Sequence, residues 1–533
     1  MLRLALALAV TAASLPAATA QPVEDEEFGD AGFATVPLAF SAFNVTSALA
    51  NDGSLVVGGK TNDGIPGVSY LARLREDGTP DIGFGDNGVV TFGSLGLNEA
   101  PIVTGLAVRP DGGVWAAGSV YIPSDGLAKS RAFVASFGSD GSPDATFGEG
   151  GFVIVDATPD AGFVHVSGLV HACDALYLYG DAIEGALPAN TGFAARVTLD
   201  GDHDLDFGVD GAVLTGPNSQ VNDVAVRPDC RVVAVGRGVD ASDGVADTDA
   251  LILGLDAAGR PDPAFESRTF DLFGGEYNDA VGVTLLDDGR ALVSGVGVKD
   301  SGDSQARGAV LLLIGTDGVL DEGFGSGGWV WTDLFAGGGE RELVGRAAET
   351  ATGFALPALH RGRAGVHVLS VLSDGSPDTD AGPAGVTSLF EDREPLYDGW
   401  WSVENGATAR LAPGALVVSG VEVKTVSAPF IARVSLSEST AAGTETFIGE
   451  ELGVAPNPVA GTAHVRISLA APRHVSLAVY DALGRRVVTL RNGPAPAGEL
   501  RATWDASAAA PGIYLVRARV GSTVSTCTLT VTR

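Results

Sequence analysis

The sequence predicts an all-β fold, a seven-bladed β-propeller followed by a small Ig-like β-sandwich. Three observations lead to this prediction. A motif returns about every 59 residues, the spacing of a repeat fold. The composition is turn-rich, with 74 Gly and 27 Pro, which helices tolerate poorly. The segments between turns are short and rich in β-branched residues, as in strands.

A string of the FGxxG type marks the start of each repeat. It reads FGDAGFATV in the first copy and FGEGGFVIV in the third, and two later copies are degenerate. The chain of 533 residues with 45% hydrophobic residues can bury the large core that a ring of such units needs. The copies begin at Phe28, Phe84, Phe147, Phe207, Phe265, Phe324 and Ala381.

An Asp lies three residues before each start, and a DG turn precedes it in most copies. Gly allows positive φ and Asp can accept an Asx-turn hydrogen bond, so each unit is expected to be a four-stranded meander. We interpret the Asp residues as structural caps. Calcium binding is the alternative, although one carboxylate per unit is far from the six or more oxygens that calcium takes. The residues are Asp25, Asp81, Asp144, Asp204, Asp262, Asp321 and Asp378.

The order of these pieces predicts how the ring closes. The last unit ends near Val434 without an FGxxG strand, whereas Gly32 to Val36 form such a strand alone near the N-terminus. We therefore expect the N-terminal strand to complete the last blade and cover its open edge.

The pattern DGxxDxxFGxxG followed by a PDG hairpin resembles the delta-60 repeat of exported bacterial proteins over residues 21–435. That resemblance implies an architecture and no general biochemical activity.

Residues 1–20 have the features of a secretory signal peptide: Arg3, an apolar stretch and an A-x-A site ending at Ala20. Export permits disulfides. Cys173 and Cys230 occupy similar places in consecutive units, and we expect them to form a disulfide, with two free thiols as the alternative. Cys527 is expected to be a buried, inert thiol.

The loops opposite the DG turns are long and variable, which favours ligand recognition on that face. One of them carries Arg393, Tyr397, Trp400 and Trp401, an aromatic and charged cluster suited to stacking on a sugar or anchoring a protein partner. The alternative is that the two Trp residues pack between blades.

Residues 436–451 are small and polar and are predicted to be a linker. Residues 452–533 contain nine Arg against three acids, a net charge of +6, which leaves −40 for the rest of the chain without Arg3. The segments APNP, LAVYDALGRRV and APGIYLVRARV are similar to the type A sorting domain of the type IX secretion system. This resemblance implies passage across the outer membrane by the secretion machinery, attachment to surface lipopolysaccharide and removal of the domain. A carbohydrate-binding sandwich is the alternative.

We therefore expect a secreted or surface-attached monomer that acts as a non-catalytic binding or scaffold module for an unknown ligand. The sequence shows no G-x-S-x-G elbow and no phosphate-binding loop. The alternative is an extracellular hydrolase or lyase with its site on the loop-rich face, since such sites are assembled from several blades. No cofactor is expected, calcium remaining the one candidate. The formal charge of −33 argues against nucleic acid as a partner, and no apolar segment is long enough to span a membrane.

Overall fold

The computed structural model divides the chain into two compact units, Met1–Ser439 and Thr440–Arg533. We call them the N-terminal unit and the C-terminal unit. The residues that the structure describes are 22–38, 41–42, 44–50, 52–61, 67–93, 101–124, 127–157, 161–184, 190–240, 247–272, 277–300, 305–333, 342–350, 352–360, 365–391, 410–412, 415–422, 428–436, 453–455, 457, 459, 461–469, 473–481, 486–495, 498–507, 509–520 and 523–532.

Three sheets of the N-terminal unit are four-stranded antiparallel meanders, each built from strands consecutive in the chain. Hairpin turns between neighbouring strands produce this order. The first sheet contains β3 (Thr46–Leu49), β4 (Leu55–Lys60), β5 (Ser69–Leu74) and β6 (Val89–Phe92). The second contains β7 (Ile102–Val108), β8 (Val114–Ser124), β9 (Leu127–Phe137) and β10 (Phe152–Val155). The third contains β11 (Ala161–Ala172), β12 (Ala175–Glu184), β13 (Asn190–Thr198) and β14 (Ala212–Pro217).

The next sheet has eight strands and consists of two meanders joined by one parallel pairing, between Thr248 and Tyr277. The first meander contains β15 (Gln220–Val226), β16 (Val232–Asp240), β17 (Asp247–Leu255) and β18 (Arg268–Phe270). The second contains β19 (Tyr277–Leu285), β20 (Ala291–Asp300), β21 (Gln305–Ile314) and β22 (Trp329–Thr332).

Two further sheets complete the described part of the N-terminal unit. One contains β23 (Glu342–Val344), β24 (Ala348–Glu349), β25 (Gly353–His360), β26 (Val366–Leu372) and, after a 3₁₀ turn at Pro383–Gly385, β27 (Val386–Leu389). The other combines β28 (Arg410–Ala412), β29 (Ala415–Glu422) and β30 (Ala428–Ser435) with β1 (Val23–Glu24) and β2 (Phe33–Thr35).

The N-terminal strands pair with the end of the same unit. In β2, Phe33 lies opposite Ala432 and Thr35 opposite Phe430, in the antiparallel pairing that the sequence predicts for residues 32–36. Glu24 accepts a hydrogen bond from the backbone N–H of Phe390 at 2.7 Å. Because these contacts join residues nearly 400 positions apart, the N-terminal segment holds the two ends of the unit together.

Buried clusters fill the space between successive meanders. Trp115 of β8 and Leu176 of β12 belong to one such cluster, which the second and third meanders share. Another contains Tyr70 of β5 together with Val417 of β29, so the first meander also packs against the last sheet. Face-to-face packing of neighbouring sheets on their apolar side chains is how β units bury a core.

The repeated Phe-Gly and Asp-Gly pairs meet between successive meanders. The N–H that follows the motif Phe donates to a carbonyl of the DG-type turn one repeat later, at 2.7–2.9 Å. These bonds run from Gly29 to Asp77, Gly85 to Asp140, Gly148 to Asp200, Gly208 to Ala258, Glu266 to Asp317 and Gly325 to Asp374. The motif thus encodes an interface between repeats as well as a turn.

Gly201 shows why the turn needs glycine. Its φ is +93°, and a Cβ there would lie 2.8 Å from the backbone nitrogen of Gly148 in the preceding repeat. We expect Gly201→Ala to lower the free energy of unfolding by about 3 kcal/mol, from left-handed strain together with this clash. Urea denaturation of the purified protein measures the change.

Gly112 provides the matched control. It has a similar φ of +84°, but the nearest atom to its Cβ would be the Cβ of Ser139 at 3.6 Å. Gly112→Ala should therefore cost only the backbone strain, about 1 kcal/mol. Equal losses for the two variants would show that the contact between repeats does not determine the choice of glycine.

The C-terminal unit contains two antiparallel sheets. The three-stranded sheet is formed by β31 (Gly453–Ala455), β32 (Thr462–Leu469) and β35 (Gly498–Asp505). The four-stranded sheet contains, in spatial order, β34 (Arg486–Ala495), β33 (Arg473–Asp481), β36 (Gly512–Val520) and β37 (Thr523–Val531). Both sheets contribute to one core, which includes Val465, Trp504 and Val516. Cys527 is half-buried, not buried as predicted, because β37 is an edge strand and covers it incompletely.

Candidate functional site

The predicted aromatic cluster, Arg393, Tyr397, Trp400 and Trp401, lies outside the described residues. Its role as a ligand site therefore stays a prediction. The predicted Asp and Cys residues of the N-terminal unit are described, and several polar side chains that sequence reasoning did not single out lie near one another.

Each repeat Asp accepts a hydrogen bond from the backbone N–H two residues further on, at 2.9–3.2 Å. This is the bond of an Asx turn. An Arg also approaches six of the carboxylates, at 2.5–3.9 Å. These pairs are Arg433 with Asp25, Arg75 with Asp81, Arg109 with Asp144, Arg196 with Asp204, Arg231 with Asp262 and Arg290 with Asp321.

Asp144 illustrates what these partners do to the carboxylate. The hydroxyl of Thr146 and the guanidinium of Arg109 lower the pKa of Asp144 to about 2. A carboxylate held in this way has its oxygens committed to protein donors. Among the described residues, no group of three or more His, Cys, Asp or Glu side chains could hold a metal ion.

Cys173 and Cys230 lie in the β11–β12 and β15–β16 turns, and the structure joins them by a disulfide with Cα atoms 5.8 Å apart. Both residues have positive φ, +49° and +67°. The corresponding turns between the first two strands of other meanders have Gly with positive φ, as at Gly53 and Gly112. The bond therefore links two hairpins of successive meanders at their turns.

An ion pair between the half-buried Arg346 and the buried Asp223 joins meanders that are not consecutive. Arg346, between β23 and β24, donates from Nε to Asp223 of β15 at 2.6 Å and also contacts it through a terminal nitrogen. Asp223 also accepts from the hydroxyl of Tyr179 at 3.0 Å and from the N–H of Val283 at 2.9 Å. Burial alone would lower the pKa of Arg346, but the charge of Asp223 and these bonds raise it. One carboxylate thus binds groups from three other repeats of the chain.

An open depression of about 190 Å³ lies at the ends of the strands opposite the DG turns. It is lined by Asn190, Asn218, Ser219, Arg237 and Thr248. Asn190 directly follows residues 185–189 and Thr248 closely follows residues 241–246, two segments that lie outside the described part of the chain. The lining offers amide, hydroxyl and guanidinium groups, which bind polar ligands by hydrogen bonding.

A polar network holds the guanidinium of Arg237 in place. This guanidinium donates to the hydroxyl of Tyr277 at 3.1 Å and lies 3.8 Å from Asp279. Tyr277 in turn donates to Asp279 at 2.9 Å, and Asn222 donates to the same carboxylate at 2.6 Å. Burial and the nearby charge of Asp279 raise the pKa of Tyr277, so it remains a neutral hydrogen-bond donor. The guanidinium is therefore positioned before any ligand binds.

Asn278 follows Tyr277 in β19 and is only 1% exposed. Neither polar atom of its carboxamide has a hydrogen-bond partner within the described part of the chain. A buried unpaired carboxamide is costly, and water or a ligand group normally satisfies it. Asn278 thus marks unmet hydrogen-bonding capacity within β19.

Sequence reasoning placed a recognition site on the loop-rich face but did not identify Arg237, Tyr277 or Asp279. One signal for these residues was available: Arg237 in VVAVGRGVD and Asp279 in YNDAVGV are charged residues within strands that are otherwise rich in β-branched residues. Polar residues within buried strands point to a local network, but strand position alone does not show which residues meet.

The fold and these sites define an all-β repeat protein with a separate C-terminal sandwich-like unit. Residues 453–532 match a family model described as a secretion system C-terminal sorting domain. This confirms the sorting domain that the motifs predicted, and it indicates export to the cell surface or the medium. The chain matches no curated protein.

Several solved structures resemble the chain at low identity. A protein of unknown function from Dyadobacter fermentans is 12% identical, with 76% of this chain and 98% of that chain covered and a TM-score of 0.40. A GH93 α-L-arabinofuranosidase of Fusarium graminearum is 10% identical, with 76% of this chain and 98% of that chain covered and a TM-score of 0.37. PorZ, a surface component of the type IX secretion system of Porphyromonas gingivalis, is 11% identical, with 94% of this chain and 100% of that chain covered and a TM-score of 0.22.

Within the described residues, no helix has the length and apolarity needed to cross a membrane.

Proposed function

We propose that this chain is an exported, non-catalytic binding module whose ligand contacts the polar depression around Arg237. The observation that carries the proposal is the prepositioned guanidinium, held by Tyr277 and Asp279 at the rim of a polar, open surface. A binding surface of this kind needs a rigid support, and the polar network beneath Arg237 supplies one. The sorting domain supplies delivery to the cell exterior.

The proposed support is a seven-bladed propeller of delta-60-like repeats. The motif repeats seven times, successive meanders are joined by recurring backbone bonds, and the first meander packs on the last sheet. These three observations favour a closed ring. We propose an Ig-like arrangement for the C-terminal unit, supported by its two antiparallel sheets and single core.

The chemistry of the depression favours an uncharged polar ligand such as a hydroxyl-rich saccharide. Its lining groups are neutral apart from Arg237, and that charge lies 3.8 Å from the carboxylate of Asp279. A saccharide hydroxyl can both donate and accept, as the Asn and Ser side chains require. The volume of about 190 Å³ is small, so contacts with the flanking loops are expected to add to the affinity.

We expect Arg237→Gln to weaken ligand binding about 10- to 100-fold, because it removes a charged hydrogen-bond donor. The measurement is calorimetric titration of the full-length protein with neutral and acidic oligosaccharides. Neutral ligands should bind better, and their affinity should change little with salt.

Arg260→Gln is the matched control, because Arg260 is an exposed arginine in a turn and its partner is Asp256. Binding should be unchanged in this variant. If no oligosaccharide binds the wild-type protein, the saccharide assignment fails. If one binds equally well to Arg237→Gln, the ligand does not occupy the depression.

We further propose that the protein acts as a monomer, uses the type IX secretion machinery and attaches to surface lipopolysaccharide after the sorting domain is removed. The sorting-domain match at residues 453–532 supports the use of the secretion machinery. Mass spectrometry of the mature protein from the cell surface would show whether residues 452–533 are absent.

A further inference from the structure

The outer face of the four-stranded sheet in the C-terminal unit is unusually apolar for a surface. Val487, Ile513 and Leu515 are 45%, 61% and 39% exposed, and they are the large exposed hydrophobic residues among the described residues of this unit. Antiparallel sheets that face water usually carry polar side chains on that side. These three residues therefore require a specific explanation.

Strand register places these residues on one surface. In β36, Tyr514 and Val516 are buried in the core, so the alternate residues Ile513 and Leu515 face outward. Leu515 lies directly opposite Tyr480 of β33 on one side and Thr528 of β37 on the other. Val487 is exposed on the edge strand β34, and β33 lies between that strand and β36. We call the three exposed residues Val487, Ile513 and Leu515 the β36 patch.

Arginine follows the apolar residues on the same face. Arg517 continues the outward alternation of β36, two positions after Leu515. It lies opposite Ala478 of β33 and Thr526 of β37. The whole segment 452–533 has a net charge of +6. The surface thus combines an apolar centre with positive charge, the composition of a protein interaction site rather than of an ordinary exposed sheet.

We propose that the β36 patch is the surface by which the secretion machinery recognises this domain. The partner would present an apolar surface bordered by acidic residues. The inference rests on the sorting function proposed above, because a domain that directs export must be recognised by a component of the export apparatus. Charge favours this occupant over a second copy of the chain, since a symmetric contact would bring Arg517 against its own counterpart.

The test is the fraction of full-length protein exported by a host that carries the secretion system. We expect Ile513→Thr combined with Leu515→Thr to reduce export about tenfold or more, because two apolar contacts are lost. Threonine retains β propensity, and both residues are exposed, so the melting temperature should change little. A second variant, Arg517→Glu, should also reduce export, whereas Arg466→Glu on the exposed side of β32 should not.

Deletion of residues 452–533 separates the two proposals. If the deletion leaves export unchanged, the sorting function itself fails. If the deletion abolishes export while the double Thr variant and Arg517→Glu are exported normally, only the β36 patch is wrong. If the double Thr variant has a lowered melting temperature, the comparison of export between Arg517→Glu and Arg466→Glu tests the β36 patch instead.

Two other occupants have distinct outcomes. Concentration-dependent dimerisation in sedimentation, lost in the double Thr variant, would assign the patch to a second copy and overturn the proposal. Binding of the full chain to phosphatidylglycerol vesicles, lost in the same variant, would assign it to an anionic lipid surface. Absence of both, with reduced export, supports recognition by the machinery.

Discussion

Replacement of Arg346 by Met is expected to lower the free energy of unfolding of the N-terminal unit by about 3–5 kcal/mol. The substitution leaves the carboxylate of Asp223, which is 4% exposed, without its positive partner. Tyr179 and the N–H of Val283 would still donate to Asp223, but they carry no compensating charge. Denaturant unfolding followed by tryptophan fluorescence measures the loss.

The pair also connects meanders that are not neighbours in the chain, so its removal should affect their assembly. A double-mutant cycle with Asp223→Asn tests this, because Asn keeps the size of Asp223 and removes its charge. The double variant should be more stable than Arg346→Met alone, since no buried charge is left unpaired. Arg260→Met, at an arginine that is 74% exposed, should change stability by less than about 0.5 kcal/mol. If Arg346→Met and Arg260→Met lowered the free energy of unfolding by similar amounts, burial of Asp223 would not explain the effect of Arg346.

Local features of the sequence were sufficient to predict the meanders. The turn at Gly201 illustrates why, since a positive φ and an adjacent Asp specify a hairpin without reference to the rest of the chain. The pairing of residues 33–35 with β30 was also predictable, because the last repeat lacked a strand that the N-terminus had in excess. In a repeat protein, a distant strand pairing can thus be predicted from the strand that one repeat lacks.

The candidate site was less accessible from the sequence. Asp223 and Arg346 are 123 residues apart, and neither belongs to the motif that recurs in each repeat. The repeat pattern therefore does not predict that they meet. Arg237, Tyr277 and Asp279 likewise meet through the packing of successive meanders. The segments between the strands opposite the DG turns differ in length and sequence from repeat to repeat, so the repeat pattern does not predict their contacts.

Loss of the disulfide between Cys173 and Cys230 is expected to lower the free energy of unfolding by about 4 kcal/mol, from the chain entropy of a closed loop of this length. The two residues are 57 positions apart, and the bond connects the turns of two meanders that are otherwise held together by packing and hydrogen bonds. The double variant Cys173→Ser with Cys230→Ser should show this loss in urea under oxidising conditions. The wild-type protein should become equally unstable after reduction, whereas the variant should be insensitive to reductant.

A second variant separates the bond from the backbone strain at Cys230. Its φ of +67° is left-handed, and the corresponding turns have Gly at Gly53, Gly112 and Gly289 with φ of +83° to +87°. Cys173→Ser with Cys230→Gly should therefore recover about 1 kcal/mol relative to the double Ser variant, because Gly adopts this conformation without a Cβ penalty. Alkylation of both thiols in the unreduced, folded protein would show that the bond does not form. Equal stability of oxidised and reduced wild type would show that it forms without stabilising the fold.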